Sequence, residues 1–237
     1  MATETTKSAY WQGVRDGAPF LLVVCPFALL FGVVATEAGL DVVETMAFSV
    51  LVIAGAAQFT AVELLKNDAP TVIALVSALT VNLRMAMYSA SLTPHLGAAT
   101  LWQRALVAYF TVDQTYACSV LAYDRNPDWS VAQKLGYFFG TVTPICPLWY
   151  VFTLVGALAG NAIPDGLALD FAVPITFLAL IGPMLRTRAH MAAAFVSVVT
   201  ALVFAFLPYN LGLLVAALAG MMTGAEIERR DPESLLP

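Results

Sequence analysis

Eight apolar segments, each about as long as a membrane-crossing helix, constrain the fold of this chain more than any other feature of its sequence. A helix needs about 20 mainly apolar residues to cross the hydrocarbon core of a bilayer, and the longest connection, 123–134, has only 12 residues. The sequence therefore predicts an all-α, polytopic integral membrane protein of about eight transmembrane segments, without room for an extramembrane domain. The segments cover residues 18–35, 45–65, 70–93, 101–122, 135–159, 169–185, 189–207 and 209–224.

The composition of the 237 residues excludes a soluble domain, because 60% are hydrophobic and only 11% are charged. Soluble domains carry about 25% charged residues, and the mean hydropathy of +0.81 points the same way. The formal net charge is −5, and the chain has no cluster of lysine and arginine. We therefore expect lipid, and no nucleic acid, as the partner of its surface.

The distribution of basic residues predicts the orientation of the chain in the membrane. If the segments alternate in direction, nine basic residues lie on one side and only Arg104 lies on the other. Basic loops stay in the cytoplasm, so both termini, 1–17 and 225–237, are predicted to be cytoplasmic. Residues 189–224 fit either two short crossings or one re-entrant hairpin. The nine residues are Lys7, Arg15, Lys66, Arg125, Lys134, Arg186, Arg188, Arg229 and Arg230.

Prolines fall inside the first and the fifth segment, which contain the dipeptides Cys25-Pro26 and Cys146-Pro147. Proline removes a backbone donor, and the freed carbonyls are tolerated in a membrane only beside protein or a wet cavity. Helices interrupted at matching positions in two halves are typical of transporter sites. We therefore expect proline-broken helices, either as part of an internal repeat, parallel or inverted, or as ordinary kinks. The two halves of such a repeat would cover about 18–122 and 135–224.

Two charged residues lie deep inside predicted segments. Arg84 is 14 residues from the cytoplasmic start of the third segment, and Asp113 is 9 residues from the cytoplasmic end of the fourth. These depths are about 21 and 14 Å at 1.5 Å per residue, so an extended arginine can reach the carboxylate. Charges at this depth are costly and usually face the bundle interior. The pair fits either a site where Arg84 binds a carboxylate and Asp113 takes a proton, or a buried structural ion pair.

A stretch of small residues in the second segment, 55–57, precedes Gln58 and Phe59. Small residues let helix backbones approach closely, and a glutamine side chain both donates and accepts hydrogen bonds. The stretch therefore predicts either part of a binding site or simple helix packing.

Sequence motifs of ATPases and of intramembrane hydrolases are missing from the chain, which contains no G-x-x-x-x-G-K-[ST], H-E-x-x-H or G-x-S-x-G. Cys25, Cys118 and Cys146 lie in apolar runs and are typical of buried small hydrophobes. Neither histidine has a partner at metal-ligand spacing. We therefore expect a protein that is not an enzyme and that binds neither metal nor cofactor.

Four further stretches of the sequence are distinctive: 55–59, 82–94, 109–113 and 169–174. Together they resemble the AzlC-type branched-chain amino acid permeases, the large subunits of bacterial branched-chain amino acid exporters. The resemblance extends over residues 12–224 and implies export of leucine, isoleucine and valine, with methionine as a further candidate, driven by an ion gradient. It also implies a bacterial plasma (inner) membrane location and a small, separately encoded AzlD-type membrane subunit. The family often has glutamate after the position of Asp113, whereas Gln114 follows here, so the second carboxylate of a proton relay is missing.

Residues and resemblance together predict a secondary transporter whose transport domain covers 18–224. Arg84 would bind the substrate carboxylate, carbonyls freed near Pro26 and Pro147 would bind the ammonium group, and Asp113 would carry the coupling proton. The alternatives are a non-transporting scaffold or sensor subunit and a passive small-solute channel. The coupling ion and the oligomeric state, including a homo-oligomer, stay open. The predicted substrate-binding residues are Gly55, Gln58, Phe59, Asn82, Arg84, Tyr88, Pro26 and Pro147.

Overall fold

A computed structural model describes residues 5–160, 185, 187–207 and 211–230, and these residues form helices and short connections without any strand. The all-α prediction is thus confirmed for this part of the chain. The predicted segment 169–185 lies almost entirely outside the described residues. The helices are α1 (Thr6–Gly17), α2 (Leu21–Glu37), α3 (Val42–Leu51), α4 (Gly55–Lys66), α5 (Thr71–Leu96), α6 (Leu101–Phe110), α7 (Asp113–Arg125), α8 (Val131–Gly160), α9 (Arg188–Val203) and α10 (Leu211–Arg230).

Four helical stretches among the described residues are long and apolar enough to cross a membrane: Thr6–Glu37, Thr71–Leu96, Val131–Gly160 and Leu211–Arg230. The first joins α1 to α2 through a 3₁₀ turn at Ala18–Phe20. The chain is therefore a membrane protein by its helices as well as by its composition. The count of eight crossings stays a prediction, since several predicted segments are shorter or divided.

The chain divides into two compact units, one of residues 1–63 with 78–167 and one of 64–77 with 168–237. In the first unit, α1 and α2 pack along α8. A Cβ atom on Gly13 would lie 3.1 Å from the Cα atom of Gly140, and one on Gly32 would lie 2.9 Å from the carbonyl carbon of Gly156. Residue numbers rise together along the two partners, so these helices run parallel. Glycine at each crossing permits this close backbone contact.

Three prolines lie inside continuous helices, so the proline-broken helices expected from the sequence are not confirmed. Pro26 lies inside α2, and Pro144 and Pro147 lie inside α8, while Pro19 falls in the 3₁₀ turn. Pro26 and Pro147 are exposed. The backbone bonds that they remove therefore lie away from the glycine contacts, and neighbouring turns keep the helix intact.

The predicted second and fourth segments are the ones that break. Residues 52–54 separate α3 from α4, and residues 111–112 separate α6 from α7. Val52 has φ −133° and ψ 88°, and Val112 has φ −126° and ψ 169°, so both breaks are extended. Both contain β-branched residues, whose stiff side chains favour extended backbone. The breaks at 52–54 and 111–112 thus contain valine, and in the second case threonine, and neither contains proline.

In the second unit, α9 and α10 form an antiparallel pair. A Cβ atom on Gly212 would meet the backbone of Phe204, and one on Gly220 would meet Ser197. The Ser197 hydroxyl donates to the carbonyl oxygen of Ala216 at 3.2 Å. Both interpretations of 189–224, two crossings or a re-entrant hairpin, contain such a pair. The connection at 208–210 lies outside the described residues.

Candidate functional site

Hydroxyl groups satisfy the backbone at the break between α6 and α7. The Thr111 hydroxyl donates to the carbonyl oxygen of Val107 at 2.6 Å. The Val112 N–H donates to the Thr115 hydroxyl at 2.9 Å. The same hydroxyl donates to the carbonyl oxygen of Phe110 at 3.0 Å. A break inside a membrane needs such internal partners, because lipid offers none.

A single tyrosine joins the two breaks. Tyr109, in the last turn of α6, donates its hydroxyl to the carbonyl oxygen of Val50, in the last turn of α3. In a continuous helix that carbonyl would accept from the N–H of Ala54, but Ala54 donates to Val52 instead, at 2.9 Å. The Tyr109 hydroxyl also lies 3.1 Å from the hydroxyl of Tyr150 on α8. The ends of α3 and α6 are therefore neighbours.

Arg84 and Asp113 form an ion pair at the start of α7. Arg84 Nη2 lies 3.2 Å from Asp113 Oδ2, and the Tyr88 hydroxyl donates to Asp113 Oδ1 at 3.0 Å. Tyr88 stacks on Tyr116 with ring centroids 4.1 Å apart. Asp113 is the first residue of α7, where the positive end of the helix dipole stabilises a carboxylate. The two charged side chains are 37% and 41% exposed, so the pair is not sealed in the core.

The guanidinium of Arg84 has unused hydrogen-bonding capacity. Its Nε atom is buried and has no hydrogen-bond partner. Asn82, two residues earlier on α5, likewise has a buried Oδ1 atom without a partner. Residues two apart do not share a helix face, so α5 presents an unpaired polar atom on each of two sides.

A second cluster surrounds the start of α4. Gln58 is completely buried, and neither its Nε2 nor its Oε1 atom has a hydrogen-bond partner. Each unsatisfied buried polar atom costs about 1–3 kcal/mol, which makes this amide an unusual feature of a packed helix. Gly55, three residues earlier, lies under two rings: a Cβ atom there would be 2.5 Å from Phe27 Cε1 and 3.0 Å from Trp149 Cη2.

Aromatic rings from three helices enclose this second cluster. Phe27 and Phe59 have ring centroids 5.0 Å apart, and Phe31 lies 5.5 Å from Phe59 and 6.5 Å from Trp149. The Trp149 indole N–H donates to the Ser49 hydroxyl at 2.7 Å. We call Phe27, Phe31, Phe59 and Trp149 the aromatic cluster. Two of its rings, Phe27 and Trp149, pack against Gly55 at the start of α4.

The predicted site residues thus fall into two groups. Arg84, Tyr88 and Asp113 contact one another, whereas Gly55, Gln58 and Phe59 lie at the aromatic cluster. Within the described part of the chain, no hydrogen bond connects Asn82 to either group. Pro26 and Pro147 are exposed; only their neighbours Phe27 and Trp149 belong to the cluster.

Sequence reasoning missed three contributors. Tyr109 lies in one of the stretches that resemble the family, and Trp149 is not among the predicted site residues. Asp16 was assigned to the cytoplasmic segment, but it accepts a 2.7 Å hydrogen bond from the Tyr137 hydroxyl on α8. The sulfur of Cys118, on α7, lies 3.7 Å from the Asp16 carbonyl oxygen. Hydropathy could not reveal these contacts, because each joins residues that are distant in sequence.

Comparison with known proteins identifies the group to which this arrangement belongs. The model of the AzlC protein family matches residues 19–163, which contain both helix breaks, the ion pair and the aromatic cluster. The chain belongs to the AzlC family. The resemblance inferred from the sequence is thereby confirmed.

The sequences of three relatives align with nearly the whole chain. Inner membrane protein YgaZ of Escherichia coli (strain K12) is 26% identical over 226 residues, 92% of this chain and 89% of its own. An uncharacterized membrane protein of Archaeoglobus fulgidus is 30% identical over 221 residues, 91% of this chain and 94% of its own. One of Helicobacter pylori (strain 26695) is 25% identical over 229 residues, 94% of this chain and 98% of its own. No solved structure matches the chain.

Proposed function

We propose that this AzlC-family chain is a secondary transporter that exports leucine, isoleucine and valine, with methionine as a further candidate, at the expense of a proton gradient. The observation that carries the proposal is the ion pair of Arg84 and Asp113, 3.2 Å apart at the start of the interrupted helix α7. Charged groups at membrane depth, beside helices interrupted near the midplane, are typical of transporter sites.

An ion pair is a suitable receptor for a zwitterion. The substrate carboxylate would bind the Arg84 guanidinium, whose Nε atom has no partner, and the substrate ammonium group would bind Asp113. A proton neutralises the same carboxylate and so competes with the ammonium group. Substrate and proton therefore occupy the site in turn, which drives export as protons enter. Arg84 and Asp113 pair with each other when the site is empty.

The aliphatic side chain of the substrate requires an apolar surface, and the aromatic cluster offers one within the same unit of the protein. The small AzlD-type subunit is proposed as a partner in the plasma membrane. Leu79, Leu83 and Met87 recur at helical spacing on α5 and are all exposed, as a surface covered by lipid or by a subunit requires. Both termini are proposed to be cytoplasmic.

Counterflow into proteoliposomes tests the proposal. The purified chain, with and without the small subunit, is reconstituted into vesicles loaded with each of the twenty amino acids, and uptake of labelled leucine is measured. We expect exchange for the branched-chain amino acids and abolition of exchange by Arg84→Ala. Flux in neither preparation would favour a scaffold or sensor, and flux that cannot be driven uphill by a proton gradient would favour a channel.

A further inference from the structure

We propose that the start of α4, comprising Gly55, Ala56, Ala57 and Gln58, is a binding site for a small monovalent anion of carboxylate or halide type. This site is separate from the ion pair of Arg84 and Asp113. The anion comes from solution, either as a small free carboxylate or as a halide.

Backbone donors supply the first part of the argument. The first N–H group of α4 with a helical acceptor is that of Gln58, which donates to the carbonyl oxygen of Ala54 at 3.0 Å. The N–H groups of Gly55, Ala56 and Ala57 precede it and have no acceptor within the helix. Three such donors at the positive end of a helix dipole form a recognised anion site. The first turn of α4 contains no acidic residue to neutralise them.

Gln58 supplies the independent observation. Its side chain is 0% exposed, and both polar atoms of its amide lack a partner. Side chains in a helix lean toward the helix amino terminus, so the amide is directed to the turn that contains the free N–H groups. Its Nε2 atom can donate to the same anion, and its Oε1 atom can accept from an ammonium group or from the proton of an acid.

The surroundings define which anions fit. The aromatic cluster closes over Gly55, with Phe27 and Trp149 so near that a Cβ atom would not fit. Low polarity around the site strengthens each hydrogen bond to a charge, and it disfavours a multiply charged, strongly hydrated anion. We therefore assign a small monovalent anion to this site.

Helix α7 offers an internal parallel. It also begins after a break, and its first residue, Asp113, places a carboxylate there. Helix α4 begins after the other break with Gly55 and has no carboxylate in its first turn. The two interrupted helices thus differ in the source of the anion, which is a side chain in one and a ligand in the other.

Thermal unfolding of the purified chain in detergent tests the site. Sodium chloride and sodium formate are each compared with sodium gluconate at equal ionic strength. At ten times its dissociation constant, a bound anion should raise Tm by about 3–6 °C. A shift with chloride alone identifies a halide site, and a shift with formate identifies a carboxylate site. No shift with any of them overturns the proposal, since the amide then has only water as its partner.

Variants locate the effect. Gln58→Met keeps the length of the side chain and removes its polar atoms, so it should fold and abolish the shift. Gln58→Glu should abolish the shift too, by placing its own carboxylate at the helix start. Arg84→Gln and Arg104→Gln, which remove cations elsewhere, should retain it. A shift that survives Gln58→Met, or that disappears in Arg84→Gln, would overturn the assignment. Because binding is measured without transport, its outcome is independent of the proposed export activity.

Discussion

The hydroxyl of Tyr109 donates to the carbonyl oxygen of Val50, so the last turn of α6 completes the hydrogen bonding at the end of α3. This contact joins two helix breaks that are about 60 residues apart in sequence. A movement of one interrupted helix would therefore reach the other through a single side chain.

Tyr109→Phe should therefore weaken both the fold and transport. The substitution removes the hydroxyl that donates to the Val50 carbonyl, and an unsatisfied carbonyl costs about 1–3 kcal/mol. We expect a lower Tm and slower leucine exchange. Tyr10→Phe is the matched control, because its hydroxyl bonds the Thr143 hydroxyl at 2.8 Å, which already donates to Phe139. Equal effects of the two variants would show that the junction has no special role.

Removal of both charges of the ion pair should separate its structural role from its transport role. Arg84→Gln alone leaves a carboxylate unpaired, and Asp113→Asn alone leaves a guanidinium unpaired. Because the pair is partly exposed, each should lower Tm by at most about 4 °C. The double variant leaves no unpaired charge and should recover much of that loss. Leucine efflux should stay at least 100-fold below that of the original chain in all three. Efflux restored in the double variant would reduce the pair to a structural element.

Asp113→Asn should also uncouple transport from the proton gradient. The amide cannot take a proton, so an inwardly directed proton gradient should no longer drive leucine accumulation against its own gradient. Counterflow should stay measurable, though slow, because it requires no net proton movement. Uptake by Glu63→Gln, which alters a carboxylate outside the proposed site, serves as the control and should depend on pH as in the original chain. Uphill uptake by Asp113→Asn would assign coupling to another group, and Asp16 would be the next to test.

The sequence predicted the ion pair but not the breaks, and the reason is physical. Helix geometry converts position into depth, so the approach of Arg84 to Asp113 followed from counting residues. Val52 and Val112 are as apolar as their neighbours, and hydropathy therefore extended both segments through them. The breaks are stabilised by Tyr109 and Thr115, whose contacts lie partly on other helices. The prolines instead predicted breaks in α2 and α8. Parallel packing on glycine keeps these two helices continuous.

The glycine contacts between α2 and α8 provide the last prediction. A Cβ atom on Gly156 would enter the backbone of Leu29, and one on Gly32 would enter that of Thr153 and lie 2.5 Å from the amide nitrogen of Ala157. Since rigid backbone on both sides must yield, Gly156→Ala should separate the helices and cost about 1–3 kcal/mol.

Separation of α2 from α8 would displace Phe27 from Trp149, so Gly156→Ala should also impair leucine exchange in proportion to its loss of Tm. Gly224→Ala is the matched control, because its Cβ atom would lie at an ordinary 3.4 Å from the Cβ atom of Ala193. Alanine favours a helix over glycine by about 1 kcal/mol, so this control should be neutral or slightly stabilising. A Gly156→Ala variant with unchanged Tm would mean that the parallel helices do not approach as closely as their glycines allow.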